Sequence, residues 1–360
     1  MSSINHIAGP EPADTLRKSD SRGAGLSSGS VAIVVIGRNE GDRLGICLQS
    51  VMHLGATVVY VDSGSVDGSC ERAAALDVPV VRLDPSRPFS AARARNEGFA
   101  WVMEHVPFVE FVQFLDGDCE LAGQWLSQGM ETLNQRPDAG VVCGNVHEQF
   151  PNATIYNRLC ELEWDIPPGE IRSSGGRFLV RAKIFRAVDG FRDDVIAAED
   201  DELCLRVRRQ GWKILQVNSA MAVHDAAMTK FSAWWRRARR SGHAYAQGAA
   251  LHGRSADRHF VRDVIRIILW AVAIPLAAVL PAFLTHGWSL LVLLAYPLQA
   301  ARVYSNGRKR GWQAGDSALY AVFALLSKFP ALLGLLEYCW KSSRGYALTI
   351  IEYKSGSAPE

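Results

Sequence analysis

Apolar residues occur in short continuous runs separated by amphipathic stretches. The first run, Val31–Ile36, is mostly β-branched, as expected of a strand buried on both faces. A helical pattern follows, with Leu44, Cys47, Leu48 and Val51 on one face. Thr57–Val61 is a second strand-like run and ends at Asp62-Ser63-Gly64-Ser65. A short helix leads to Val78–Leu83, a longer helix is predicted over about 90–104, and Val109–Leu115 reads as a strand ending at Asp116-Gly117-Asp118. Strands alternating with helices, with polar residues at the carboxyl ends of the strands, predict an α/β sheet. Ligands of such sheets bind at that edge.

Between about 120 and 225 the pattern is mixed. Ala139–Asn145 and Arg177–Arg181 read as strands, Asp200–Gln210 as a helix closed by Gly211, and Lys213–Val217 and Ala220–Val223 as two short strands. A basic belt follows: Lys230–Arg266 carries nine Lys or Arg against Asp257 and Asp263. Its Arg236, Arg237, Arg239 and Arg240, beside Trp234 and Trp235, suit lipid headgroups at a membrane surface. Ile267–Ala301 then runs 35 residues without Asp, Glu, Lys or Arg. One helix of that length spans about 52 Å against a hydrocarbon core of about 30 Å. Two transmembrane passes are therefore expected within 265–304, near 265–285 and 288–304, turning at Thr285-His286-Gly287. Basic residues at both outer ends place the N-terminal domain in the cytoplasm, against the inner membrane. Segment 317–340 is apolar but interrupted by Lys328 and Pro330, which favours an amphipathic or re-entrant helix over a third pass.

Composition narrows the function. Lys plus Arg is 39 and Asp plus Glu 37, so the net charge of +2 gives no bulk basic field for nucleic acid. Seven cysteines without C-x-x-C spacing argue against a disulfide scaffold or a zinc site. Residues 1–30 are rich in Ser, Gly and Pro without an apolar core, and are expected to be a disordered tail rather than an export signal. The expected organisation is a catalytic domain over 31–245, a basic juxtamembrane linker over 246–264, two passes over 265–304, and a basic loop, third helix and tail over 305–360.

The chemistry-bearing residues cluster at predicted strand ends. Asp116 and Asp118, two positions apart after a buried strand, suit a hard divalent ion, Mg²⁺ or Mn²⁺, held together with substrate phosphates. The same tripeptide is also good turn chemistry. Asp62 can accept hydrogen bonds from a nucleobase or ribose, or cap its own turn. Glu199-Asp200-Asp201-Glu202 places four acids at a helix start, where the dipole favours them, yet four exceed what capping needs and one suits a general base. His224 is either structural or part of a metal shell. Gly175-Gly176 permits close backbone approach to a substrate.

Taken in order, these pieces resemble glycosyltransferase family 2, with its GT-A fold, over roughly 31–245, in a membrane-associated, bacterial-type form. VAIVVIGRNEGDRLGICLQSV is similar to the family's first strand, Asn-Glu and helix; VVYVDSGSVDGS to its Asp-x-Gly-Ser element; ARARNEGFA to its Arg-Asn-x-Gly helix; FLDGDCE to its Asp-x-Asp metal site; and GGRFLVRAKIFRAVDGF with AAEDDELCLRVRRQGWKI to its late-domain signature. The resemblance implies a Rossmann-like nucleotide-sugar-binding sheet with transmembrane or interfacial helices C-terminal to it. It implies a nucleotide contact from Asp62, a divalent cation on Asp116 and Asp118, and Asp200 as catalytic base; Asn39, Glu40, Arg95 and Asp116 are the further candidate donor contacts, and His224 is the candidate third metal ligand. Gly175, Gly176 and Glu199 fall in the acceptor or late part of the site. The implied reaction is inverting transfer of one sugar from a nucleotide-diphosphate donor to a lipid-linked or envelope glycan acceptor. WWRRARRSGHAYAQ does not reproduce the Gln-x-x-Arg-Trp element of processive synthases, so single transfer is expected. A nucleotidyltransferase and a catalytically idle scaffold of the same fold are the alternative readings.

Overall fold

A computed structural model of the chain describes residues 30–346. The expected tail at 1–30 lies outside the described residues except for Ser30, as does the end of 305–360. Strands β1 (Val31–Gly37), β2 (Thr57–Asp62) and β3 (Val80–Arg82) alternate with helices α1 (Asp42–Val51), α2 (Ser69–Ala75) and α3 (Ala91–His105), and β4 (Phe111–Asp116) follows. These four strands are parallel, in the order β3-β2-β1-β4. β1 and β4 are buried almost throughout, and β2 from Val59 to Asp62, because helices cover the faces, which explains the unbroken apolar runs; β3, at the edge, is not buried. Helix α3 lies unusually close to the sheet. A Cβ on Gly98 would stand 2.3 Å from Val34 Cγ1 and 2.9 Å from Val61 Cγ2, so glycine is needed there.

The second half supplies β5 (Cys119–Leu121), α4 (Trp125–Gln135), β6 (Ala139–Glu148), α5 (Ile155–Trp164), β7 (Gly169–Glu170), β8 (Phe178–Arg181), α6 (Ala182–Ala187), α7 (Glu199–Arg209) and β9 (Lys213–His224). β8 runs antiparallel to β4 and β6; β9 is parallel to β6 and antiparallel to β5 and β7. The result is one mixed nine-stranded sheet. The two short strands expected at 213–217 and 220–223 are one twelve-residue strand. Its register against β6 shifts around Cys143–Val146, and that irregularity carries the chain past the polar Asn218-Ser219 pair.

Helix α8 (Phe231–His252) runs through residue 245 and far into the expected linker. Its basic cluster is half-buried and paired with other elements: Arg237 meets Glu163 at 2.5 Å, Arg239 meets Glu337 at 2.7 Å, and Arg240 donates to the Ile196 carbonyl. Trp234 is buried against Leu159, Cys160 and Phe323 instead of facing a headgroup layer. Both outcomes follow from acids and apolar side chains on facing helices that lie far away in sequence.

The apolar region forms α9 (Val261–Ile268), a π-turn (Leu269–Ala273) and α10 (Ile274–Val279) as one helical run, then a 3₁₀ segment (Trp288–Leu294) and α11 (Ala295–Lys309). The π-turn directly precedes Pro275, which has no N–H to donate to the preceding turn. Helices α12 (Ala314–Leu326) and α13 (Lys328–Ser343) complete the described chain. Together, Ala314–Ser343 is the one described helix long and apolar enough to cross a membrane, by length and composition alone. One face of it is packed on the sheet domain: Arg158 makes a two-pronged ion pair with Asp316 at 2.8 and 2.5 Å. Gly242 of α8 and Gly334 of α13 bring the two helix backbones into contact, each facing a carbonyl oxygen of the other helix.

Candidate active site

The parallel strands bring their carboxyl ends to one edge. Gly37 is level with Asp62, and Ile36 with Asp116. The Asp116-Gly117-Asp118 loop presses against the first strand, where the Gly117 N–H donates to the Ile36 carbonyl at 2.8 Å. A Cβ at Gly117 would lie 3.2 Å from both that carbonyl oxygen and Glu40 Cγ, so the spacer between the two acids has little room for a side chain. Glu40 itself pairs with Arg43 at 2.8 Å.

Asn39 and Asp62 build the neighbouring loop. Asn39 adopts the left-handed conformation that Asn tolerates, its N–H donates to Ser65 Oγ, and its Oδ1 accepts from the Val66 N–H. Asp62 is buried. Its Oδ2 accepts from the Gly64 and Ser65 N–H groups, both at 2.9 Å, and its Oδ1 accepts from the Tyr60 hydroxyl at 3.0 Å. Burial, with the Asp62 charge adjacent, pushes the Tyr60 phenol well above its usual range, so it stays a donor. Asp62 therefore shapes this turn.

Arg95 joins the two halves of the site. It projects from α3, is only 3% exposed, and donates to Asp116 Oδ1 at 2.8 Å and to Glu199 Oε1 at 2.7 Å. Its guanidinium also lies over the Phe191 ring at 5.4 Å. Gly176 makes room for it, since a Cβ there would be 2.5 Å from Arg95 Nη2. Gly175-Gly176 thus admits an arginine of the chain itself. Asn96, next on α3, grips the loop before α7: its Nδ2 donates to the Phe191 carbonyl and Asp193, and its Oδ1 accepts from the Phe191 N–H.

Ala198 introduces α7 in the left-handed conformation (φ 55°), unusual for alanine, and turns the acidic run into the site. Burial, together with the neighbouring Asp201 and Glu199 carboxylates, raises the Asp200 carboxyl well above the ordinary range, and Arg95 opposes this in part. A carboxyl poised nearer neutrality is what a general base requires. Asp201 is raised by burial as well, while Glu202 is used structurally, pairing with Arg206 and His252.

His224, at the end of β9, meets Asp118 Oδ2 through Nε2 at 3.2 Å and stacks on Trp164. Burial lowers its pKa to about 3, helped by the nearby Arg177 charge, so the ring is neutral at physiological pH. Asp118, Cys119 and His224 place their ligand atoms within 4.8 Å of one another. The buried Cys119 thiol is pushed far up and stays protonated, which leaves oxygen and imidazole nitrogen as the working donors. With Asp116 beside them, this donor set fits a hard divalent ion such as Mn²⁺ or Mg²⁺. Glu148, level with His224 across β6 and β9, accepts from Asn157 Nδ2 and the Ala226 N–H.

The structure thus gathers Asn39, Glu40, Asp62, Arg95, Asp116, Asp118, Gly175, Gly176, Glu199, Asp200 and His224 around one sheet edge. Sequence reasoning missed Arg177, Trp164 and Glu148. Arg177 had a signal, since it follows the two glycines directly.

Comparison with known proteins bears on the fold. The family model for glycosyl transferase family 2 matches residues 32–188. Glycosyltransferase AglE of Haloferax volcanii is 26% identical over 255 residues, 67% of this chain and 79% of that protein. Among solved structures, the mannosyltransferase PcManGT from Pyrobaculum calidifontis, in complex with GDP-Man and Mn²⁺, matches with a TM-score of 0.52 at 17% identity, over 91% of this chain and 92% of that one. The mixed sheet therefore has the fold of that mannosyltransferase, a GT-A sheet, and residues 32–188 within it match glycosyl transferase family 2.

Proposed function

We propose that the chain transfers a single sugar from a nucleotide-diphosphate donor to a hydroxyl acceptor, with inversion at the anomeric carbon, at a membrane surface. The observation that carries this reading is the Arg95 bridge. One buried guanidinium ties Asp116, beside the metal-competent donor set, to Glu199, the neighbour of Asp200. Diphosphate recognition and proton removal are thereby held in fixed relation.

Asp116, Asp118 and His224 would hold a divalent cation, which when bound neutralises charge on the diphosphate leaving group. The Asn39–Asp62 loop stands at the parallel-strand edge where the nucleoside would lie. Asp200 accepts the proton of the acceptor hydroxyl as that oxygen attacks the anomeric carbon. A single displacement needs one base opposite one leaving group, and this supports inversion. The alternative of a nucleotidyltransferase gains nothing from the structure, since the turn after β1 is occupied by Asn39 and the Glu40–Arg43 pair rather than by a phosphate-cradling glycine loop.

The exposed apolar surface supports membrane association and, through it, a lipid-linked acceptor. Phe283 is 91% exposed, and Leu280, Leu284, Trp288 and Leu298 are also turned outward. These lie in the two segments read as passes. Helix α12–α13, packed on the catalytic domain along one face and exposing Val322, Leu333, Leu336 and Trp340 along the other, is suited to lie in the interface plane. The catalytic domain then faces the cytoplasm.

The test is donor hydrolysis by detergent-solubilised protein across a panel of nucleotide sugars with Mn²⁺, Mg²⁺ or EDTA. Metal-dependent release of one nucleoside diphosphate is expected. Metal-independent release would remove the cation from the reading. Failure of every donor to bind by calorimetry would remove the donor class.

A further inference from the structure

The acids expected to hold a metal are already served by a cation of the chain. Arg177 precedes β8 and is nearly buried. Its Nη1 is 2.6 Å from His224 Nδ1 and 3.7 Å from Asp116 Oδ2, and its guanidinium lies 5.3 Å over the Trp164 ring, which stacks on His224. A guanidinium only donates hydrogen bonds, so His224 Nδ1 must accept. Neutral His224 then carries its proton on Nε2, facing Asp118 Oδ2 at 3.2 Å. An imidazole that ligates a metal through Nε2 has no proton there; it carries it on Nδ1, which must find an acceptor. Arg177 offers none and would set N–H against N–H. The two arrangements exclude each other by the proton count on a single ring. Charge points the same way, because a guanidinium and a divalent ion in one small acid cluster repel.

We propose that Arg177 and the divalent ion are mutually exclusive occupants of the Asp116–Asp118–His224 cluster, so that ion binding requires Arg177 to leave. This rests on the metal-dependent reading of the same site. A diphosphate is the anion that receives the departing guanidinium, whose planar fork matches phosphate oxygens. Metal and diphosphate therefore bind with positive coupling through Arg177, each raising affinity for the other. The arginine is a positioning residue that keeps the ion weakly held until the donor arrives.

The experiment measures Mn²⁺ binding to the full chain in detergent, without nucleotide, from the electron paramagnetic resonance signal of the free ion. Wild type, Arg177→Gln and Asp118→Asn are compared. Arg177→Gln is expected to bind Mn²⁺ tighter by about tenfold or more, and Asp118→Asn to lose binding. Equal affinity for wild type and Arg177→Gln, with Asp118→Asn still deficient, overturns the exclusion and leaves the metal reading standing. Undiminished binding by Asp118→Asn overturns the metal reading itself. A second measurement needs no altered Arg177. Nitrogen-15 histidine spectra, with His224 identified by its loss in His224→Gln, are expected to show the Nε2–H tautomer alone and Nδ1–H with Mg²⁺ and inorganic pyrophosphate. Retention of Nε2–H with both bound overturns the proposal.

Discussion

Replacing Arg95 by Met keeps much of the side-chain volume and removes the charge. The guanidinium is 3% exposed and joins Asp116 at 2.8 Å to Glu199 at 2.7 Å. Glu199 is nearly as buried, whereas Asp116 keeps about a quarter of its side chain in solvent. Most of the loss therefore comes from stranding Glu199. Removing one partner of a buried ion pair costs about 3–5 kcal/mol. At about 2–4 °C per kcal/mol for a domain of this size, Tm should fall by about 6–20 °C at neutral pH. Thermal unfolding of wild type and Arg95→Met at neutral pH measures this directly, and Arg95→Met/Glu199→Gln should recover part of the loss. A Tm difference below about 2 °C, or no recovery in the double variant, would refute the claim that Arg95 compensates buried charge.

Three further predictions address packing, strain and the base. Gly98→Ala sets a methyl group 2.3 Å from Val34 Cγ1; overpacking of about 1–3 kcal/mol should outweigh a helix-propensity gain of about 1, and chemical denaturation reads the balance. Ala198→Gly relieves a left-handed alanine and should stabilise by up to about 1 kcal/mol while lowering kcat, since the strained turn aims Asp200; a gain in both would disconnect strain from aim. For Asp200, burial and adjacent acids raise the folded pKa. Ionisation therefore costs stability as pH rises from the unfolded carboxyl value through the folded one. Asp200→Asn should melt higher than wild type at neutral pH and converge with it below about pH 4, while the acid limb of wild-type kcat should lie above the usual carboxylate range.

Much of this site was legible because its acids stand at the ends of unbroken apolar runs. Val31–Ile36, Thr57–Val61 and Val109–Leu115 each fall on an observed strand, and parallel pairing brings Asp62 and Asp116 to within one position of each other along β1. Gly98 is costly in a helix unless close packing needs it, and the contacts with Val34 and Val61 supply the need. What escaped was long-range pairing. No local pattern says that Arg95 reaches Glu199, 104 positions away, or that Arg177 reaches His224, 47 positions away. Helix α5 was missed because its sequence, Ile155–Trp164, mixes polar and apolar residues, and it is anchored by Thr154 capping the Tyr156 and Asn157 N–H groups. The ion pairs of the basic belt were hidden for a similar reason: their partners Glu163 and Glu337 lie far from Arg237 and Arg239 in sequence.

The central claim is that one sheet edge binds the donor while Asp200 alone removes the acceptor proton. With a donor identified, the decisive measurement is the rate of nucleoside diphosphate release by Asp200→Asn at saturating donor, metal and acceptor, beside wild type. The account predicts release reduced by about 10²-fold or more, with calorimetric donor affinity unchanged. Release at the wild-type rate would contradict it and move the base to another residue.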